Sequence, residues 1–227
     1  MRKLIRCLMV LLTAAACGGK ASVSVDVLFG DPTTPSSSDP PYGDEVVYPS
    51  GLRLGLVQDG SLTATYPDPA ANPFGGSRVR HYQRVGRFLP LEIVPTTERV
   101  SDNFLVSEYV NATLQRGGTR AYIDPQIVWH VQQVRSGLGR PLVVSSSFRS
   151  PEHNRAVGGA SFSRHLYGDA VDVDVDQSSP DANTRGQEIF NEALDAGVDF
   201  VLPLDETSVT VSGASRVSWV HLDNRGF

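Results

Sequence analysis

An α+β fold is expected for the stretch from residue 98 onward, on three observations. Helical and strand-like segments mix over about 130 residues without the regular alternation of a doubly wound sheet. One helix has clear start and stop signals, and the segments nearest the C-terminus alternate polar with apolar side chains. The helix opens with Asp124 as cap and Pro125 in its first turn, sets Ile127, Val128, Val131 and Val134 on one face, and stops at Gly137-Leu138-Gly139. Residues 141–149, with β-branched Val143 and Val144, read as a strand running into Ser150-Pro151, the cap and first turn of a short helix. A further helix is read over about 184–196, with Gly197 as its terminator. Strands are expected at 207–212 and 217–223.

The N-terminal part has a different character. Arg2, Lys3 and Arg6 precede an apolar run over 8–12 and then Thr13, Ala14, Ala15 and Ala16, so residues 1–16 read as a secretory signal too short to span a bilayer. The small residues before Cys17 resemble the lipobox of bacterial lipoproteins, in which that cysteine is lipidated, although Ala14 stands where leucine is usual. An ordinary signal cleaved after Ala16 is the alternative. Cys17-Gly18-Gly19 carries no aspartate of the kind that retains lipoproteins at the inner membrane, which points to an anchor in the outer membrane facing the periplasm. Residues 17–45 contain a Pro- and Ser-rich run from Asp31 to Pro41 and read as a flexible tether. Residues 46–97 suggest a short β-rich segment without a motif. Its basic patch Arg78-Val79-Arg80-His81-Tyr82-Gln83-Arg84 reads as a solvated strand face or as a contact for an acidic glycan or teichoic polymer.

Charge and cysteine usage narrow the chemistry. Loss of Arg2, Lys3 and Arg6 with the leader leaves 17 Lys and Arg against 25 Asp and Glu, a net of about −8. Nucleic acid is a poor partner for such a chain, which has no excess of cations to displace phosphate counterions. Cys7 and Cys17 are the only cysteines, so a metal site must be built from His, Asp and Glu, with five histidines to search: His81, His130, His153, His165 and His221.

Two segments hold the chemistry. Strand alternation from Ala170 puts Asp172, Asp174 and Asp176 on one face and Val171, Val173 and Val175 on the other. Such a face needs a cation or solvent to offset its repulsion. His165 lies just before it, across the turn that Gly168 permits. In the last segment, Trp219, His221 and Asp223 share a face while Val220 and Leu222 point to the core. Two imidazoles and a carboxylate on one cation leave a fourth position for water, the pattern of a catalytic zinc, which lowers the pKa of bound water to about 7 and polarises a carbonyl. Asp174 and Asp176 are expected to face solvent, His130 to lie on the polar surface of its helix, and His153 to sit in a loop or first turn near the site.

These residues resemble the superfamily of zinc D-alanyl-D-alanine carboxypeptidases and dipeptidases, peptidoglycan endopeptidases and the Hedgehog signalling domain. Its Ser-x-His-x-x-Gly-x-Ala-x-Asp run is met by Ser163, His165, Gly168, Ala170 and Asp172. Upstream, Ser147-Phe148-Arg149-Ser150-Pro151-Glu152-His153-Asn154 and Val157-Gly158-Gly159-Ala160-Ser161 are similar to further family stretches. So are Trp219-Val220-His221-Leu222-Asp223 at the end, and Asp102-Asn103-Phe104 with Ser107-Glu108-Tyr109 at the start. The resemblance covers residues 98–227. It implies a small, mostly antiparallel sheet with flanking helices, and a zinc peptidase acting on peptidoglycan stem peptides or cross-links, as carboxypeptidase or endopeptidase. It assigns Zn2+ to His165, Asp172 and His221, makes Arg149 the cation near the scissile bond, and puts Ser163 near metal or substrate. A salt bridge from Arg149 to Glu152, and a capping role for Ser163, are the alternatives. Many members carry an acid three residues before the last histidine as general base toward the attacking water; here Ser218 stands there. Asp223 is then either a partner that orients His221 or the base. The missing acid also motivates a second expectation, a non-catalytic, zinc-stabilised binding or signalling module.

Overall fold

Residues 44–74, 76–110 and 118–225 are described by the structure, a computed structural model. The expected signal 1–16, Cys17 and nearly all of the tether 17–45 lie outside the described residues. No helix among the described residues is long and apolar enough to cross a membrane.

Short strands do open the described chain. β1 (Glu45–Val47) and β2 (Arg53–Gly55) form an antiparallel pair, and β3 (Val57–Gln58) precedes a one-turn helix α1 (Gly60–Thr63). Then β4 (Arg87–Pro90) pairs with β3 and with β5 (Arg120–Ala121), past a single turn α2 (Val106–Tyr109). Through that pairing, residues 44–97 join the same compact unit as the rest of the described chain. Tyr48, Tyr66, Tyr82, Val85, Phe88 and Leu89 all lie in the common core. The expected strand face at 78–84 is corrected, because Gly76–Tyr82 form a 3-10 helix with Arg78 and Arg80 exposed.

The helix α3 (Pro125–Leu138) has its expected bounds. The side chain of Asp124 accepts from the Gln126 N–H, and Gly139 closes it in the left-handed conformation at φ +63°. His130 departs from expectation: it is buried, its Nδ1 2.8 Å from Asn224 Oδ1. Asn224 comes from the segment just beyond the last strand.

The strand read over 141–149 shrinks to β6 (Val144–Ser146). Beyond it the backbone serves the site: the Ser147 carbonyl accepts from His165, and the Arg149 N–H donates to the His165 carbonyl. α4 (Pro151–Ala156) follows with Ser150 as its cap. A 3-10 turn over Arg164–Tyr167 then ends at Gly168 and leads into β7 (Ala170–Asp174). Gly168 is required there, since φ is +72° and a Cβ would lie 2.3 Å from the Tyr122 carbonyl oxygen. α5 (Ala182–Asp195) matches the expected helix within two residues.

After β8 (Phe200–Val201), β9 (Ser208–Val211) and β10 (Ala214–Val217) make a hairpin across Ser212-Gly213, both at positive φ. The strand β10 escapes the sequence because Ala214-Ser215-Arg216 lacks an apolar alternation. β11 (Trp219–Asp223) completes an antiparallel sheet of order β6-β7-β11-β8, with α3 and α5 packed together beside it.

Candidate metal centre

The register of β7 against β11 places His221 directly opposite Asp172. Residues alternate across the two strands, so Val171, Val173, Val220 and Leu222 fill the core while this pair faces outward. His165 reaches the same point from the preceding turn. Its Nε2 is 3.2 Å from Asp172 Oδ1, and His221 Nδ1 is 2.8 Å from the same oxygen. Ligand atoms of the three residues all lie within 4.8 Å of one another.

The outer nitrogens decide what this cluster can hold. A carbonyl can only accept, so the 2.7 Å contact between His165 Nδ1 and Ser147 O puts the imidazole proton on Nδ1. His221 Nε2 lies 3.1 Å from Asp223 Oδ2 and donates there. Neutral imidazoles so fixed turn two lone pairs toward a carboxylate oxygen that is itself an acceptor. Three acceptors meeting at one point need a cation or a shared proton, and the His-Asp-His donor set fits zinc.

Charge shifts follow the same geometry. Burial works against the Asp172 carboxylate, but the two histidines hold it well below the usual carboxylate range. Burial lowers the pKa of His165. Burial also opposes charge on His221, yet its bonds to Asp172 and Asp223 prevail and raise it to about 9, so without a metal a proton on His221 fills the gap at Asp172 that a cation would otherwise fill.

Arg149 donates from Nη2 to Asp172 Oδ2 at 2.7 Å and from Nε to Ser146 Oγ at 3.0 Å. The expected alternative of a bridge to Glu152 is corrected: the partner is Asp172, one side of the carboxylate serving the imidazoles and the other the guanidinium. Asp223 is fully buried, with Oδ1 accepting from Arg225 Nε at 2.7 Å and Oδ2 shared between Arg225 and His221. With both oxygens engaged, it fits the orienting role rather than that of a base. Ser163 makes no capping bond and lines the cavity. Asp174 and Asp176 are exposed, as expected. His153 lies in the first turn of α4, as expected, but it is buried and does not line the cavity.

The cluster opens into a cavity of about 670 Å³. Asp172 is the one carboxylate among the described residues lining it. Ser218 does not line it; its backbone bonds to Thr207 and Val175.

The sequence left two sets of participants unread. One is Arg164 with Asp169, a buried ion pair occupying variable positions of the family run; the guanidinium also lies 4.6 Å from the centre of the Tyr167 ring. The other is the wall formed by Ala71, Pro73, Phe74 and Tyr82, from the segment without a motif. The regular spacing of aromatics at 66, 74 and 82 was the available signal. Asn154, by contrast, explains a family position: its Nδ2 donates to the Ala160 carbonyl, and at Gly159 a Cβ would meet its side chain at 2.1 Å.

Comparison with known proteins finds sequence similarity over part of this region. Residues 102–189 match the Peptidase M15 family model, described as Peptidase M15. A stretch of 47 residues is 47% identical to the zinc D-Ala-D-Ala carboxypeptidase of Streptomyces albus G, covering 20% of this chain and 18% of that protein. The chain thus spans less than a fifth of the length of the curated relative it matches. The matched region, which contains His165 and Asp172 on an α+β framework, is similar to the Peptidase M15 family and, over a short stretch, to a zinc D-Ala-D-Ala carboxypeptidase.

Proposed function

We propose that this protein is a zinc metallopeptidase that hydrolyses amide bonds in peptidoglycan stem peptides or their cross-links. The observation that carries this reading is the convergence of His165 Nε2, Asp172 Oδ1 and His221 Nδ1 at the floor of an open cavity, with both outer imidazole nitrogens already engaged. Zinc held by these three residues supplies a Lewis acid that polarises the scissile carbonyl and brings water within reach of ionisation near neutral pH. Ser147 and Asp223 keep the two ligand imidazoles in the correct tautomers. Arg149 holds the second oxygen of Asp172 while facing the cavity, where it can bind a substrate carboxylate or the oxyanion that develops on attack. Ser163 offers a hydroxyl to the substrate from the same cavity. Mass spectrometry of muropeptides incubated with the zinc-loaded protein, beside His165→Ala, tests the reading; new termini with the wild type alone support it. No cleavage where a control peptidase cuts would overturn it.

One observation favours a second reading, a zinc-stabilised binding or signalling module. No carboxylate besides Asp172 lines the described cavity, so the protein offers no evident proton acceptor. That module would bind zinc and muropeptides yet release nothing.

For the cellular address we propose a lipid anchor on Cys17, in the outer membrane facing the periplasm, supported by the leader sequence. Cys17→Ser is expected to move the protein from the detergent phase to the soluble fraction. An unchanged distribution would favour an ordinary cleaved signal.

A further inference from the structure

We infer that residues 66–82 form a substrate-selecting wall of the metal cleft, with Phe74 as its contact to the peptide beyond the cleaved bond. The inference rests on the peptidase reading above. This wall comes from outside the residues that match the family model.

It is fastened to the very turn that carries His165. Tyr66 donates its hydroxyl to the Leu166 carbonyl at 2.7 Å, and Arg164 Nη1 donates to the His81 carbonyl at 2.6 Å. The Arg164 guanidinium lies 5.2 Å from the centre of the Tyr82 ring, and the Tyr66 ring meets Tyr167 edge-on. A hydrogen bond therefore ties the wall to each sequence neighbour of the metal ligand, which fixes its distance from the reacting centre.

The rim is equally well set. Asp68 caps the short helix Pro69–Ala71. Buried Asn72 then donates from Nδ2 to the Pro69 carbonyl at 2.7 Å and accepts from the Phe74 N–H at 2.9 Å. Phe74 stacks on Tyr82 with ring centres 6.0 Å apart and planes 12° from parallel, and Tyr82 in turn meets Phe162 edge-on at 5.5 Å. Yet Phe74 is still 47% exposed, and it lines the cavity. A large ring kept in water on a fixed platform presents apolar area whose ordering cost has already been met. Arg149 and the two imidazoles lie at the metal end, while at the rim the Arg78 guanidinium stands 5.7 Å from the centre of the Phe74 ring, so the wall offers ring area flanked by one cation to aliphatic side chains farther along the peptide.

The test uses the full zinc-loaded chain, comparing wild type with Phe74→Ala and Phe74→Leu. Substrates are a blocked D-Ala-D-Ala dipeptide and a complete pentapeptide stem. For the pentapeptide, Phe74→Ala is expected to raise KM roughly tenfold with kcat little changed, and Phe74→Leu to restore part of the loss. Dipeptide hydrolysis should be the same in all three proteins. Equal losses on both substrates, or no loss on either, would overturn the inference. If the wild type cleaves neither peptide, the muropeptide digest decides the peptidase reading separately, and equilibrium binding of the two peptides decides the wall. Weaker binding of the pentapeptide alone by Phe74→Ala supports it; equal affinities, or no binding by either protein, overturn it.

Discussion

Two buried carboxylates lie three residues apart on either side of the entry to β7, and they meet opposite fates. Asp172 has one oxygen facing two imidazoles and the other facing Arg149, at the floor of an open cavity. Asp169 gives both oxygens to Arg164 beneath the Tyr82 and Tyr167 rings. Burial pushes the Asp169 carboxyl up to about 7, and Arg164 offsets this only in part. The histidines hold Asp172 far lower. The difference is one of completeness. Asp169 and Arg164 satisfy each other as acceptor and donor, whereas the two imidazoles meet Asp172 Oδ1 acceptor against acceptor and need a proton or a metal ion between them. Asp169–Arg164 reads as scaffold, and the Asp172 cluster as the place where an outside group enters.

The largest expected effect comes from removing the open carboxylate. Asp172→Ala should weaken zinc binding several hundredfold, because four ligands in structural sites together contribute about 10–16 kcal/mol and each tenfold is about 1.4 kcal/mol. Competition against a chromophoric chelator measures this; an affinity within tenfold of wild type would remove Asp172 from the metal site. Arg164→Ala should instead cost about 3 kcal/mol in urea unfolding, by leaving Asp169 buried without its partner, while zinc affinity changes much less. Were zinc binding to fall as far as in Asp172→Ala, the two clusters would be a single device.

Asp223→Asn is a milder probe of the open cluster, reaching the metal ligands through the orientation of His221 while also breaking the pair with Arg225. A loss of roughly tenfold in zinc affinity is expected, alongside a loss of stability from the broken Arg225 pair, and wild-type affinity would deny the orienting role. The smallest effect is one of shape. Asp169 has a folded pKa above its ordinary 3.8, so the native state binds the extra proton between about pH 4 and 7. Its contribution to stability is complete below pH 4 and lost as pH rises through about 7. Chemical denaturation of Asp169→Asn should flatten that limb, and an unchanged slope would mean that Arg164 keeps Asp169 ionised throughout.

Much of the framework was legible because its signals are local. Asp124, Pro125 and Gly139 bound α3 within the reach of a few backbone groups, and Ser150-Pro151 starts α4 in the same way. Alternation alone put His221 and Asp172 on the outer faces of their strands. The shortening of β6 was not local: Ser147 and Arg149 leave the ladder to serve His165, 18 and 16 residues away. Nor was the burial of His130, which depends on Asn224 arriving from the far end of the chain.

The sequence by itself therefore determined most element types and the strand faces of Asp172 and His221, since periodicity and turn chemistry act over a few residues, and its resemblance to a known family named the three metal-ligand candidates. Only the tertiary structure decided which nitrogen of each histidine faces Asp172, that Arg149 pairs with Asp172 rather than Glu152, and that Asp223 is shut away with Arg225. It also decided that Phe74 and Tyr82 flank the metal cleft. Each of these depends on hydrogen bonds or ring contacts between segments brought together by strand register and core packing, and no short window of residues contains both partners.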